Sequence, residues 1–491
     1  MKASELFDRS PLSIEYSNLK DVEITGMSYD SRKIEQGNIF FAIKGIKEDG
    51  NKYIKSAVRN GAVLIITEED LKSEDGTQFI KVKNIRKLMA SLSRIYYTDG
   101  LSNLKLIGIT GTNGKTTTSY LIKYLLESAG FKTGLIGTID YQIGNTSFNS
   151  VLTTPDSIEL NILLGKMEKR EMNFCVMEVS SVALEMDRTY GLNFDSAVFT
   201  NLTSEHLDYH KNMENYFQAK KILFDGLKES SYAVSNKDDK YGEKILADTN
   251  SRKFFYSIRN ESDLRACNEK ISLYGTEFEI NYGNKNYKFN TSLSGRFNIY
   301  NILASISTVI NYNIDIEHIH SVLAGFNEVS GRFNKVKLNN GAVAVIDYSH
   351  TSDSLKNAIL AAREIVSNEN RNGRVITIFG CGGDKDKTKR PVMGKYAANL
   401  SDYTIITSDN PRSEDPFKII EEIVSGIVKE KNNYEVIEDR EKAIKRGIEI
   451  SSGGDIVLIC GKGHENYQEI KGIKNHFDDK EIIDKYLKTA E

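Results

Sequence analysis

The chain has 491 residues, 40% of them hydrophobic and 27% charged, with a formal net charge of −3. That length exceeds one ordinary core and implies about two to four domains. The near-neutral balance argues against a nucleic-acid or anionic-membrane partner, and with no run of about 18 apolar residues no membrane span is expected. Met1 to Ser10 has no apolar core, so no signal peptide is expected. Cys175, Cys267, Cys381 and Cys460 are scattered without metal-ligand spacing and read as reduced thiols of a cytoplasmic protein.

Residues 1 to about 100 hold short strand-like pieces, Ile39 to Ile43 and Ala62 to Ile66, and end in a helical pattern, Ile85 to Tyr97. A second region opens with the apolar run Leu104 to Ile109, which has the character of a buried parallel strand. Gly111-Thr112-Asn113-Gly114-Lys115-Thr116-Thr117 follows it directly. A helix then begins, with Leu121, Leu125 and Ala129 four apart and Gly130 closing it. Strand, glycine loop and helix in that order form a phosphate cradle. The helix N-terminus presents free N–H groups, Lys115 reaches the terminal phosphates and the Thr116 hydroxyl can hold Mg²⁺. Ile109 stands where the longer Gly-x4-Gly-Lys form has its first glycine, so this is a shorter subtype.

Further strands are expected at Phe174 to Val179 and Ser196 to Thr200, then a β-rich patch around Thr276 to Leu293 and a helix from Phe297 to Ile310. After Gly331-Arg332 the pattern restarts. Strand-like runs at Ala342 to Ile346, Val375 to Phe379, Tyr403 to Thr407 and Ile456 to Cys460 alternate with helical segments, which predicts a mostly parallel sheet. The chemistry-bearing residues follow these strands, where open α/β sheets bind ligands, so the site is expected between domains.

Glu178 after its strand can bind the Mg²⁺ of a nucleotide, or it can belong to a Glu/Ser helix cap. In Glu205-His206-Leu-Asp208-Tyr-His210 the histidines and Asp208 read as metal ligands or substrate contacts, or as a polar loop entering the helix Tyr216 to Leu227. Arg412 of Asp409-Asn410-Pro411-Arg412 can grip a carboxylate, and Glu465 of Gly461-Lys-Gly-His-Glu465 can pair with an ammonium; together they suit an amino-acid zwitterion, or form an ordinary surface ion pair. Lys389-Arg390-Pro391 adds a basic cluster.

Taken in order, these motifs resemble the Mur ligases, and within them the tripeptide synthetases of the diaminopimelate-adding type. The resemblance also includes Asp30-Ser31-Arg32, Thr153-Thr154-Pro155, Thr200-Asn-Leu, Ala219-Lys220, Gly295-Arg-Phe-Asn298 and Asp347-Tyr-Ser-His350, and covers nearly the whole chain. It implies three α/β domains: a small uridine-binding one at 1–100, a central P-loop ATPase with a mostly parallel sheet at 101–333, and a Rossmann-like amino-acid-binding one at 334–491. The implied reaction joins meso-diaminopimelate to the D-Glu γ-carboxylate of UDP-N-acetylmuramoyl-L-alanyl-D-glutamate, consuming ATP through an acyl phosphate, in cytoplasmic peptidoglycan synthesis by a monomer.

The resemblance also implies residue roles. Lys220 would be carbamylated by CO₂, since an ordinary lysine, with a pKa of about 10.4, is a cation and no metal ligand. With His206 it would hold a second Mg²⁺, the first lying on Thr116 and Glu178. Ser31 and Ile46-Lys47-Glu48 would hold uridine; Thr153, Thr154, Ser180, Met186 and Arg188 the muramoyl dipeptide; Asn298, Arg332, Asp347 and His350 would surround ATP. Arg412 with Arg390 would pair with the distal carboxylate of diaminopimelate, beside Asp409, Asn410 and Pro411, while Gly461 and Glu465 take the amino-acid head. Lysine should then be rejected, because it would leave a buried guanidinium unpaired. The family pattern is broken at Val182, Met186 and Ser352. The same ligase adding lysine or another diamino acid, and a binding protein that senses UDP-muramoyl peptides without turnover, are the alternatives.

Overall fold

The computed structural model describes residues 1–491 except 17–19, 46–47, 72–76, 99–102, 284, 369–371 and 490–491. Three larger sheets follow one another along the chain, built mostly by alternation of strands with helices, and a fourth, the two-stranded hairpin Tyr467–Ile470 with Ile473–His476, lies near the end. No helix among the described residues is long and apolar enough to cross a membrane.

The first sheet has four parallel strands, Gly26–Ser28, Asn38–Phe41, Ala62–Thr67 and Gln78–Lys81, in sequence order. The helix Ile85–Tyr97 leads away from it, started by Asn84, whose side chain accepts from Lys87 N at 2.9 Å. Leu88, Met89 and Leu92 of this helix share a core with Ile158 of the next domain's helix Ser157–Lys169. Gly165 permits that approach, since a Cβ there would lie 2.2 Å from Tyr97 O.

The second sheet has 11 strands. Lys105–Thr110 runs at its middle, parallel to Phe174–Glu178 on one side and Ser196–Phe199 on the other. Ile107 and Ile109 are fully buried, as a strand covered on both faces requires. Tyr232–Asn236 and Arg252–Ser257 continue the parallel part, and Leu264–Ser272, Gly275–Tyr282 and Lys285–Thr291 finish it as an antiparallel meander. Helix Lys115–Ser128 buries Leu121, Ile122, Leu125 and Leu126, the four-spaced stripe expected, against this sheet and against helix Arg296–Val309.

The third sheet orders Asn334–Lys337, Val343–Asp347, Ile456–Cys460, Val375–Phe379, Tyr403–Ile406 and Tyr434–Val436, parallel except at the first edge strand. Its apolar layer is continuous with the central domain: Leu355, Ala358 and Ala361 of helix Ser352–Asn368 belong to the same core cluster as Ile271 and Leu293. The loops beyond the carboxyl ends of the second and third sheets therefore face each other across one cleft of about 990 Å³, in the place expected from the strand-end motifs.

Candidate active site in the cleft between the second and third sheets

The glycine loop turns tightly because two glycines sit where side chains have no room. Gly114 has φ 89°, and a Cβ there would lie 2.4 Å from Asn301 Oδ1; one on Gly111 would lie 1.9 Å from Thr200 Oγ1. The loop is fastened from the neighbouring strand. Thr200 Oγ1 and Asn201 Nδ2 donate to Asn113 O at 2.7 and 3.0 Å, and Asn201 Oδ1 accepts from Asn113 N at 2.9 Å. The free N–H groups at the start of helix Lys115–Ser128 thus open into the cleft, a fixed anion site. Lys115 Nζ is held over the loop by Gly111 O and Thr112 O, both at 2.9 Å.

Glu178 stands beside this helix start and is almost fully buried. Its carboxylate accepts from Thr116 Oγ1 at 3.1 Å, Thr138 N at 2.8 Å and Thr138 Oγ1 at 3.0 Å. A fixed carboxylate, a threonine hydroxyl and an adjoining phosphate cradle are a donor set that suits Mg²⁺, which takes one or two protein oxygens plus substrate oxygens. Among the described residues no three His, Cys, Asp or Glu side chains form a metal cage.

His206 and Lys220 bracket the other side of the loop. His206 adopts φ 57°, and burial, opposed by Glu205 and aided by Lys115, Lys220 and His350, lowers its imidazole to about 4, leaving it neutral and able to ligate. Lys220 is 1% exposed, with Nζ 3.0 Å from Gly111 O and 4.6 Å from the Tyr216 ring centre. Burial drives its ammonium well below the ordinary value, and the nearby Lys115 acts in the same direction. The neutral amine that this burial favours is the form that reacts with CO₂, so this residue fits a carbamate. His210 does not join the cleft. Its side chain is wholly buried, stacked on Tyr216 at 5.0 Å, with Nε2 2.9 Å from Ser181 Oγ and Nδ1 facing Glu185 at 3.0 Å. It braces helix Met213–Asp225, which carries Lys220.

Arg332, at the end of the central domain, and residues of the third domain close over the loop through polar contacts. Arg332 Nη2 donates to Thr116 Oγ1 at 2.9 Å, its guanidinium lying over the Tyr348 ring. Asn113 Nδ2 donates to Asp353 at 3.1 Å, and His350 Nε2 approaches Glu205 at 3.3 Å. Burial alone would raise the carboxyl of Glu205, but His350, His206 and Lys115 outweigh it and hold the group below the usual range. Asp347 is buried and shapes the crossing, accepting from Phe333 N and Ser349 N at 2.8 and 2.9 Å; burial raises its carboxyl. Asn298 does not reach the cleft: it is buried, donating to Ser294 O at 2.9 Å and accepting from Asn301 Nδ2 at 3.0 Å. Asn301, one turn on, faces the loop instead.

At the far end, Asp409, Asn410, Arg412, Gly461 and Glu465 come together from two neighbouring loops. Pro411 lies behind, its carbonyl against Gly383. Asn410 Nδ2 donates to Glu465 Oε2 at 2.7 Å. Arg412 adopts φ 51° and donates to Gly383 O at 2.7 Å, with Nε 3.5 Å from Glu469. The expected partnership of Arg390 with Arg412 is not formed. Arg390 is fully buried behind the cleft, bonded to Glu414 at 2.9 and 3.0 Å, Glu422 at 2.8 Å and Gly382 O at 3.1 Å, so its charge is already matched by the protein. Nor is Arg412 a buried guanidinium awaiting a partner: about a quarter of its side chain is exposed, and Glu469 already faces it.

Of the residues expected around the muramoyl dipeptide, Thr153 and Ser180 line the cleft. Thr154 is buried behind them, accepting from Ser180 N at 3.0 Å, while Arg188 Nη1 donates to Thr154 O at 2.8 Å and its Nη2 lies 3.8 Å from Met186 Sδ. Ser31 is buried at the first sheet, its carbonyl accepting from Asn60 Nδ2 at 2.8 Å, and Glu48 accepts from Tyr53 OH at 3.1 Å; neither lines this cleft. Ile46 and Lys47 lie outside the described residues. Tyr29 OH, donating to Asp156 at 2.9 Å, ties the first domain to the second just after Thr153-Thr154-Pro155.

Three family models match the chain in series: "Mur ligase family, catalytic domain" over 23–97, "Mur ligase middle domain" over 109–309 and "Mur ligase, glutamate ligase domain" over 331–463. A UDP-N-acetylmuramoyl-L-alanyl-D-glutamate–2,6-diaminopimelate ligase of Clostridium botulinum is 44% identical, covering 97% of this chain and 98% of its own length. One of Fusobacterium nucleatum is 43% identical over 96% of each. Among solved structures, a ligase of the same name matches with a TM-score of 0.70 at 31% identity, covering 100% of this chain and 99% of that one. MurF ligase from Thermotoga maritima in complex with ADP shares the fold, with a TM-score of 0.67 at 20% identity over 96% and 100% of the two chains. Strand order, cleft chemistry and full-length similarity agree: the chain belongs to the Mur ligase family.

Proposed function

We propose that this protein is an ATP-dependent amide ligase that adds meso-diaminopimelate to the D-Glu γ-carboxylate of UDP-N-acetylmuramoyl-L-alanyl-D-glutamate, a cytoplasmic step of peptidoglycan synthesis, with working domains at 1–100, 101–333 and 334–491. The observation that carries this reading is one cleft with a phosphate loop at one end and a zwitterion-matching set, Arg412 and Glu465, at the other. The full-length relatives named as diaminopimelate ligases support the choice of substrates.

A carboxylate is a poor electrophile. Its oxygen first attacks the γ-phosphorus of ATP, forming an acyl phosphate and releasing ADP. The amine then attacks the acyl carbon, loses its proton, and phosphate departs. The N–H groups at the helix start and Lys115 hold the phosphates, and Arg332 lies where negative charge grows on the transferred group. Glu178 with Thr116, and His206 with carbamylated Lys220, would hold Mg²⁺, which when bound offsets phosphoryl and carboxylate charge. Thr153 and Ser180 would orient the dipeptide. Closure of the third domain through His350 and Asp353, beside Arg332, excludes water from the acyl phosphate.

The direct test offers ATP, Mg²⁺ and the UDP-muramoyl dipeptide with meso-diaminopimelate, lysine, ornithine or lanthionine separately, and reads the UDP-linked product by mass. Product with diaminopimelate is expected; none with any amine would refute the ligase reading. Because Glu469 and Gly383 already satisfy Arg412, lysine loses an attraction without leaving an orphan charge. A preference for diaminopimelate of roughly 10–100-fold is therefore expected, the worth of a charged hydrogen bond. Arg412→Ala should abolish that preference by lowering kcat/KM for diaminopimelate alone; an equal loss for lysine would show that Arg412 does not read the distal carboxylate.

A further inference from the structure

A buried ammonium sits under the amino-acid end of the cleft. Lys462 follows strand Ile456–Cys460 and has no exposed surface. Its Nζ donates to Asn410 Oδ1 at 3.2 Å and lies 3.6 Å from Glu465 Oε2 and 3.9 Å from Asp409 Oδ1. The centre of the Tyr467 ring lies 5.6 Å from the same Nζ. Gly461, just before it at φ 118°, presses close to Asp409, where a Cβ would lie 2.4 Å from Oδ2. Three groups that the ligase reading gives to the amino acid thus surround one cation that itself does not line the cleft.

Burying an ammonium costs several kcal/mol unless it is matched, so its surroundings must be matched to it. Two carboxylates and one ammonium leave a net charge of −1, the complement of an incoming ammonium. Arg440 also acts on Asp409 from behind; without Lys462, Glu465 would lose its nearby ammonium while still facing Asp409, and would be pushed further toward its protonated form. The groups facing Glu465 are Asp409, Lys462, His350, Tyr348 and Tyr467. Burial and then Asp409 already push its carboxyl above the ordinary value, while Lys462, the Asn410 bond and His350 oppose them.

Resting on the ligase reading, we propose that Lys462 is a positioning residue for the amino-acid substrate: it offsets the carboxylate of Glu465 where that group faces Asp409 and, through Asn410, fixes Glu465 to receive the substrate ammonium. Lys462 touches no substrate atom and acts through its neighbours.

The test compares wild type, Lys462→Met, Lys462→Arg and Lys462→Met with Asp409→Asn. KM and kcat are measured for diaminopimelate and for ATP from acid to alkaline pH, with ADP binding as the check of folding. Lys462→Met should raise the diaminopimelate KM about tenfold, one pKa unit of lost charge, and move the acid limb of kcat/KM up by about one pH unit, with the ATP KM unchanged. Lys462→Arg should keep the wild-type limb. The double variant, which restores one net negative charge, should return the limb towards wild type even if the single variant folds poorly. An unmoved limb in Lys462→Met, an equal rise in the ATP KM, or a double variant no better than the single one would each overturn the proposal. Wild type that turns over no amine would remove the ligase reading itself, a distinct outcome.

Discussion

Lys220→Ala is expected to lower ligation about a thousandfold, the upper range for removing one preplaced electrostatic group, with partial recovery on adding formate or acetate. The amine is buried between Gly111 O and the Tyr216 ring, where burial and Lys115 both disfavour its cation. In the neutral form its nitrogen lone pair would form a bond to the carbon of CO₂, one N–H proton would leave to solvent, and a carbamate anion would result. The proposed carbamate would thus replace a cation near His206 with an anionic oxygen ligand. Alanine leaves space in which a small carboxylate can stand in for the carbamate. Lys220→Arg should be equally inactive and not rescued, because a permanently charged guanidinium neither adds CO₂ nor leaves the space. Rates with and without the added acid decide the matter: full activity of Lys220→Ala without any additive would sink the carbamate proposal.

How far the sequence discloses this site depends on whether the partners of a residue are local. The phosphate loop is legible because its chemistry lies within seven consecutive residues between a strand and a helix, and the structure places both elements within about two residues of the expected bounds. Glu178, Arg412 and Glu465 are legible as strand-end residues. Arg390 misleads because its acceptors, Glu414 and Glu422, are 24 and 32 residues away, and nothing local says that it is already matched. Asn298 and Asn301 lie on the same helix, and only packing decides which amide faces the loop. Lys462 sits inside a quoted motif, yet its burial depends on the loop 409–412 folding over it. Glu205 gives a signal only once His350 of the next domain is brought against it. In the fold, strands of three or four residues such as Gly26–Ser28 and Gln78–Lys81 are too short to show a period, and the hairpin Tyr467–Ile470 with Ile473–His476 is mostly exposed, so it lacks a buried alternation. That hairpin nevertheless supplies Glu469 to Arg412.

Asp479→Ala is expected to cost about 3–5 kcal/mol of stability, the usual result of stranding one member of a buried ion pair. Arg440 and Asp479 both have fully buried side chains. Nε and Nη2 of Arg440 donate to the two carboxylate oxygens at 2.8 and 2.7 Å, and Nη2 also donates to Cys460 O at 3.0 Å. Burial opposes the guanidinium charge, but Asp479 more than offsets it and raises the group further above its ordinary range. The pair therefore joins helix Arg440–Ile450 to helix Asp479–Thr489 and pins the end of the strand that delivers Gly461 and Lys462 to the cleft. The chain has no Trp, so urea unfolding is best followed by circular dichroism. Arg440→Met with Asp479→Leu should recover most of the loss, since an apolar pair of similar volume restores packing without leaving a charge. The double variant should still bind diaminopimelate more weakly than wild type, because the carbonyl of Cys460 has lost its donor and the loop beyond it its anchor. Asp479→Ala unfolding at the wild-type urea midpoint would show that the pair contributes nothing measurable to stability. A double variant with wild-type KM for diaminopimelate would separate this ion pair from the alignment of the amino-acid site.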